Sequence, residues 1–215
     1  MALPKPLTIY GSLHDRGYRI AWACEELNVA YTLHPIDLSK GEHQTAAYRA
    51  IHPYQKVPAL KTGDRIITES GAILHHLATH YQDHAVLIPQ ASTPARDQYE
   101  QWMYFGFTEL EPPLWTKAKH AFVYPPDSRV PAIKNIVEKE YEKACAFLGH
   151  HIKDTGAYAL GEHFQMVDVC LGYLLSWGIK AKMPQLPEAL NQYHQRIQKR
   201  PAVQKLNALA QQATT

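Results

Sequence analysis

The feature that most restricts this chain is the stretch 52–70, HPYQKVPALKTGDRIITES. Val57, Ala59 and Leu60 are apolar around Pro58, Thr62, Gly63 and Asp64 are turn formers, and residues 65–68 are short and β-branched, so a hairpin is expected. Pro58 has no N–H to give to a ladder. A proline at the entrance of a strand can be cis, and a cis bond would turn the backbone of Val57 outward, where its N–H and C=O can pair with an extended peptide. After the hairpin, Glu69 and Ser70 open a helix with Ile73, Leu74 and Leu77 at helical spacing. A helix start carries free N–H groups and partial positive charge, which suit a carboxylate, and Glu69 beside it can hold an ammonium. These parts make a receptor for a small peptide with an α-amino acid head.

The flanking chain extends the pattern. Residues 7–10 read as a strand ended by Gly11 and Ser12, and a helix follows from Arg16 with Ile20, Ala23, Cys24 and Leu27 on one face. Asn28 suits its stop. A second strand at 31–36 and a helical segment around Ala47 and Ile51 complete the order β-α-β-α-β-β-α, which implies a mixed four-stranded sheet with helices on its faces. Residues 81–94 lack an apolar period and contain two prolines, as a linker would. From residue 95 the signal is helical: an aromatic segment to residue 120 with a kink or break at Glu111-Pro112-Pro113, an amphipathic helix at 130–152, an apolar helix at 167–180, and two helices split by Arg200-Pro201. The expected organisation is an α/β domain over 1–81, a linker over 82–94 and an all-α domain over 95–215.

Composition narrows the function classes. A chain of 215 residues can bury a substantial core. Its net charge of +2, with no block of like charge, does not point to nucleic acid or a membrane surface. The N-terminus has no signal-peptide apolar core, and no apolar run is long enough to cross a bilayer. Cys24, Cys145 and Cys170 form no CxxC or zinc spacing, so a reducing cytoplasm is the default. His76, His80 and His84 are spaced four apart, but without a supporting Cys or HExxH pattern they read as a solvated face and no metal is expected.

The segments His52-Pro53-Tyr54-Gln55-Lys56-Val57-Pro58-Ala59-Leu60 and Glu69-Ser70-Gly71-Ala72-Ile73 resemble the glutathione-binding half of the cytosolic glutathione S-transferase family, in particular its bacterial, theta-like, Ser-type members. The resemblance implies a thioredoxin-like first domain and an all-helical second one. It implies glutathione as co-substrate, conjugation of its thiolate to a small hydrophobic electrophile, and a cytoplasmic homodimer. Glu69 and Ser70 would take the γ-glutamyl ammonium and carboxylate, Val57 would pair with the cysteinyl unit, and His43 and Lys56, with Lys40 as an alternative, would reach the glycyl carboxylate. The electrophile would lie against the aromatic helix of the second half, where Tyr104 and Phe107 are candidates to face the thiol. Gly161–Asp168 resembles a further signature of the family, in which Phe164 is a staple and Asp168 a capping-box acid with a structural role. Gln165 stands there where Ser or Thr is usual.

Conjugation requires a thiolate. An ordinary thiol has a pKa near 8.5, and lowering it by two units takes about 2.7 kcal/mol of preferential thiolate stabilisation. In Ser-type members a hydroxyl four residues before an arginine contributes. Arg19 looks like that arginine, but Asp15 occupies the hydroxyl position. An ionised Asp cannot donate a hydrogen bond and would repel a thiolate if it faced the sulfur; the alternative is that Asp15 turns away and caps the first helix, leaving Ser12 or Tyr10 at the sulfur. Ser12 is the first candidate donor, Tyr10 the second, and Arg16 can assist by charge. Each has a bland alternative: Ser12 as a turn residue, Tyr10 as packing, Arg16 as a solvated side chain. Asp15 is also the feature that favours the rival reading, a non-catalytic binding or adapter protein of the same family. A third reading, a reductase with a redox cysteine, lacks a cysteine in the loop 11–18.

Overall fold

The computed structural model describes residues 6–212. Two compact units result: Met1–Leu87 together with Lys199–Thr215, and Ile88–Gln198.

The first unit holds a four-stranded sheet of order β2-β1-β3-β4. Its strands are β1 (Leu7–Tyr10), β2 (Tyr31–His34), β3 (Ala59–Thr62) and β4 (Arg65–Thr68). β1 runs parallel to β2 and antiparallel to β3, with Ile9 opposite Leu60. β3 and β4 form the expected hairpin around Gly63-Asp64, where Gly63 takes the positive φ of 59° that the tight turn demands. Among and after these strands come α1 (Gly17–Glu26), α2 (Ala46–Ile51) and α3 (Ser70–His80). Leu7, Ile9, Ile20, Leu60, Ile73, Leu74 and Leu77 are fully buried and join sheet to helices. At roughly 1.5–3 kcal/mol for each buried aliphatic side chain, this patch is the main stabilising force of the unit.

The second unit is helical among its described residues. It contains α4 (Pro94–Phe105), α5 (Glu111–Ala118), α6 (Ile133–Thr155), α7 (Met166–Lys180) and α8 (Glu188–Gln198). Of the kink or break expected at Glu111-Pro112-Pro113, the chain shows no break but a local irregularity directly before it. A single wide π-helical turn, Gly106–Leu110, joins α4 to α5. A proline has no N–H to give, and its ring crowds the carbonyl four residues back; a turn with an extra residue relieves that crowding without ending the helix. α7 is buried along most of its length, as its apolar sequence requires. Asp168 accepts from the Gln165 N–H at its start at 2.7 Å, the capping role expected of that acid.

The last helix, α9 (Pro201–Gln212), corrects the expected division. Residues from Lys199 onward group with the first unit rather than with the helical half. Arg200 makes a two-pronged ion pair with Glu26, both N···O distances 2.6 Å, Lys205 pairs with Glu25 at 2.7 Å, and Tyr18 donates to Asn207 Oδ1 at 2.9 Å. Val203 and Leu206 are buried. The divide between the units falls at Leu87–Ile88, inside the expected linker. No helix among the described residues is long and apolar enough to cross a membrane.

Candidate glutathione site

The loop between β1 and α1 is built around Asp15. Its Oδ2 accepts from the Ser12 N–H at 2.9 Å and from the Ser12 O–H at 2.8 Å, while its Oδ1 accepts from the Gly17 N–H at 2.6 Å. The carboxylate therefore satisfies a free N–H of the first turn of α1 and staples the loop to it. The His14 N–H donates to Ser12 Oγ at 3.1 Å. Burial raises the Asp15 pKa, while its hydrogen bonds and Arg16 pull the other way. Two glycines make the arrangement possible. Gly11 has φ of +147°, a value that favours glycine, and a Cβ there would lie 3.1 Å from Asp15 Oδ1 and 3.7 Å from Pro58 Cβ. A Cβ on Gly17 would lie 2.8 Å from the Ser12 carbonyl oxygen and 2.9 Å from its nitrogen.

The sequence candidates divide accordingly. Ser12 lies in the loop, half-buried, with its proton directed at Asp15 rather than outward. Tyr10 ends β1 with its ring between His34, at a centroid distance of 5.1 Å, and Tyr48, at 6.4 Å. Arg16 is half-buried at the start of α1 and lowers the Asp15 pKa by charge. Asp15 itself turns toward the helix, not outward.

The peptide-binding candidates sit on the loops that flank the sheet edge. The Val57–Pro58 bond is cis, as expected. Tyr48 of α2, buried, donates to the Lys56 carbonyl at 2.7 Å and so holds the backbone just before Val57. Lys56 is exposed, with its Nζ 5.6 Å from the Tyr54 ring centroid. Glu69 precedes α3 with φ 66° and ψ 113°, a sparsely populated conformation for a non-glycine residue that costs about 1–3 kcal/mol. Its side chain is exposed. Ser70, the first residue of α3, is buried, and its Oγ accepts from Arg19 at 3.1 Å. Arg19, completely buried, thus ties α1 to the start of α3. His43 is half-buried on a short 3-10 turn, Glu42–Gln44, and its Nδ1 is buried without a protein partner. Lys40 is paired with Asp37 at 3.1 Å.

Tyr104 and Phe107 belong to the helical unit. Tyr104 is 64% exposed on α4, and Phe107 is half-buried on the wide turn that follows. An open groove of about 520 Å³ in this unit is lined by Phe105, Thr108, Glu109, Pro112, Glu140 and Phe147, and by neither of these two rings. Cys24, Cys145 and Cys170 are buried, and burial pushes the Cys24 and Cys145 thiols up, the latter to about 12. Neither is a nucleophile at neutral pH.

Sequence reasoning missed Tyr48, and it left the part played by Asp15 open between facing the sulfur and capping the first helix, of which the structure shows the second. Nothing in the sequence marks Tyr48, since its phenol meets a carbonyl eight residues on through a fold of the loop. Asp15 did carry a signal, an Asx residue just before a helix, which is a common capping arrangement.

Comparison with known proteins agrees with this geometry. The family described as "Glutathione S-transferase, N-terminal domain" matches residues 5–79. The chain is 32% identical over 142 residues to glutathione S-transferase F10 of Arabidopsis thaliana, a match spanning 66% of each chain. It is 31% identical over 168 residues to glutathione S-transferase theta-1 of Bos taurus, spanning 76% of this chain and 69% of that one. Among solved structures, it is similar to the theta class glutathione S-transferase of Xanthomonas axonopodis pv. citri with glutathione bound, at a TM-score of 0.79 and 29% identity, over 94% of this chain and 97% of that one. With a thioredoxin-like sheet, a helical second unit and relatives of this length and similarity, the chain belongs to the glutathione S-transferase family.

Proposed function

We propose that this chain is a glutathione transferase that binds glutathione along β3 and the start of α3 and joins its sulfur to a small hydrophobic electrophile. The observation that carries the reading is the start of α3. Glu69 holds an exposed carboxylate in a strained backbone position directly before a helix whose first residue, Ser70, is fixed by buried Arg19. Backbone strain where an acid adjoins the free N–H groups of a helix start is a pattern found at binding sites. In this reading Glu69 takes the γ-glutamyl ammonium and Ser70, with the N–H groups of α3, takes the carboxylate. The Val57 backbone pairs with the cysteinyl unit, and His43 and Lys56 reach the glycyl carboxylate. Ser12 meets the sulfur, with Tyr10 and Arg16 nearby, and Tyr104 and Phe107 are the candidates to contact the electrophile. A cytoplasmic homodimer without a metal is part of the same proposal.

Glu69→Ala tests it. Loss of one charge-assisted hydrogen bond removes about 1.5–3 kcal/mol, so glutathione affinity measured by calorimetry should fall roughly 10- to 100-fold in a folded variant. An unchanged affinity refutes the assignment. The second reading, a binding protein without transferase activity, is favoured by the Ser12 hydroxyl being engaged by Asp15. Glutathione binding without conjugation of an activated aryl halide would select it. Burial of all three thiols disfavours a redox cysteine.

A further inference from the structure

We propose that Tyr48 is a positioning residue for glutathione: its hydroxyl holds the Lys56 carbonyl inward and so turns the Val57 N–H outward, where the cysteinyl carbonyl of glutathione meets it. The inference deepens the reading above and rests on its pairing of Val57 with the cysteinyl unit.

The Lys56 carbonyl and the Val57 N–H belong to one planar, trans peptide unit, so the two groups point in opposite directions. Whatever fixes one fixes the other. The Tyr48 phenol donates to the Lys56 carbonyl at 2.7 Å. Tyr48 is buried, so the carbonyl is drawn toward the interior of the unit and the N–H faces away from it. Among the described residues the Val57 N–H has no hydrogen-bond partner. It lies directly before buried Pro58 and Ala59. An open backbone donor held in that direction is what an added extended peptide can satisfy with a carbonyl.

The phenol is itself locked. Its ring lies between Tyr10 of β1, edge-on at a centroid distance of 6.4 Å, and His52, stacked at 6.4 Å with an interplanar angle of 23°. His52 is buried, and its backbone ties the connection at both ends: its N–H donates to the Tyr48 carbonyl at 2.8 Å, and its carbonyl accepts from the Gln55 N–H at 2.8 Å. Gln55 takes a φ of 58°, and this turn brings Lys56 back onto the ring of α2. Burial, followed by the charge of Asp15 and then Tyr10, pushes the Tyr48 pKa up, so the hydroxyl keeps its proton and remains a donor throughout the neutral range. The cysteinyl carbonyl does not react. A hydrogen bond to it is therefore made alike in the bound substrate and in the transition state, and its loss raises KM and leaves kcat in place.

The test compares wild type, Tyr48→Phe and His52→Ala, each as the full chain, with three thiols. These are glutathione, γ-glutamylcysteine, which lacks the glycyl unit, and γ-glutamylcysteamine, which lacks the cysteinyl carbonyl as well. Affinities are measured by calorimetry, and KM and kcat for glutathione with an activated aryl halide. Tyr48→Phe keeps the packed ring and removes only the hydroxyl. It should weaken glutathione and γ-glutamylcysteine about tenfold each and leave γ-glutamylcysteamine within about twofold of wild type. KM for glutathione should rise by the same factor, with kcat at saturating glutathione within about twofold of wild type. His52→Ala, which frees one face of the ring, should show the same pattern at about threefold, and that pattern decides if Tyr48→Phe does not fold. A merely structural role of the hydroxyl weakens all three thiols alike. That result, or an unchanged glutathione affinity, overturns the inference while leaving glutathione binding intact. Absence of glutathione binding in wild type removes the functional reading and the inference with it.

Discussion

Replacing Asp168 with alanine should be among the most destabilising single changes in the helical unit. The side chain is completely buried. Its Oδ1 accepts from the Tyr193 O–H at 2.7 Å and the Ala159 N–H at 2.9 Å, and its Oδ2 from the Gln165 N–H at 2.7 Å. Alanine leaves these three donors without their acceptor, in a place from which water is excluded. Each orphaned donor costs about 1–3 kcal/mol, partly offset because a charged group no longer has to be desolvated. The net expectation is a loss of roughly 3–6 kcal/mol, a large share of the 5–15 kcal/mol typical of a whole domain. Tyr193→Phe removes one donor and leaves the carboxylate its backbone partners, so it should cost about 1.5–3 kcal/mol. Urea unfolding followed by circular dichroism measures both. The midpoint should fall in the order wild type, Tyr193→Phe, Asp168→Ala, with the slope unchanged. Glutathione affinity of the folded Asp168→Ala fraction should stay at the wild-type value, because the residue holds three chain segments together and touches no ligand in the proposed site. An Asp168→Ala stability within about 1 kcal/mol of wild type would falsify the reasoning, since burying three unpaired donors at that cost is incompatible with their geometry.

Gly17→Ala should cut aryl-halide turnover at least about tenfold and cost about 1–3 kcal/mol, because its methyl would meet immovable backbone of Ser12 at 2.8 and 2.9 Å; wild-type turnover and stability would show that the loop is not rigid. Acid sensitivity follows from the histidines. Burial lowers the pKa of His52, His76, His151 and His194, that of His76 to about 4. The unfolded chain then binds more protons than the folded one between pH 6.5 and the folded values, so stability should be full above about pH 6.5 and fall as pH drops toward 4. His76→Gln should flatten that fall when urea midpoints are measured across the range; an unchanged pH slope would show that His76 is not held neutral.

Much of the first unit was legible in the sequence because its determinants are local. A two-residue Gly63-Asp64 turn between the apolar segment around Pro58 and a β-branched run selects a hairpin, and Glu69-Ser70 before Ile73, Leu74 and Leu77 selects a helix start, whatever lies elsewhere in the chain. The same holds for the apolar run of α7, which only a buried helix satisfies. The tertiary structure decided matters that depend on which groups meet. Apolar periodicity names a face of α9 but not its partner; the Glu26–Arg200 pair, between residues 174 positions apart, assigns it to the first unit. The prolines at 112 and 113 signal a kink or a break without deciding which; one wide turn absorbs them because its longer hydrogen-bonded loop relieves the crowding a proline imposes on an α-helix. Asp15 is the clearest case. Its sequence position near Arg19 left it facing either the sulfur or the helix, and residue type says nothing about the direction of a hydrogen bond. Only the closeness of the Gly17 N–H and the Ser12 hydroxyl, allowed by two glycines without side chains, turned the carboxylate inward and gave the Ser12 proton its direction.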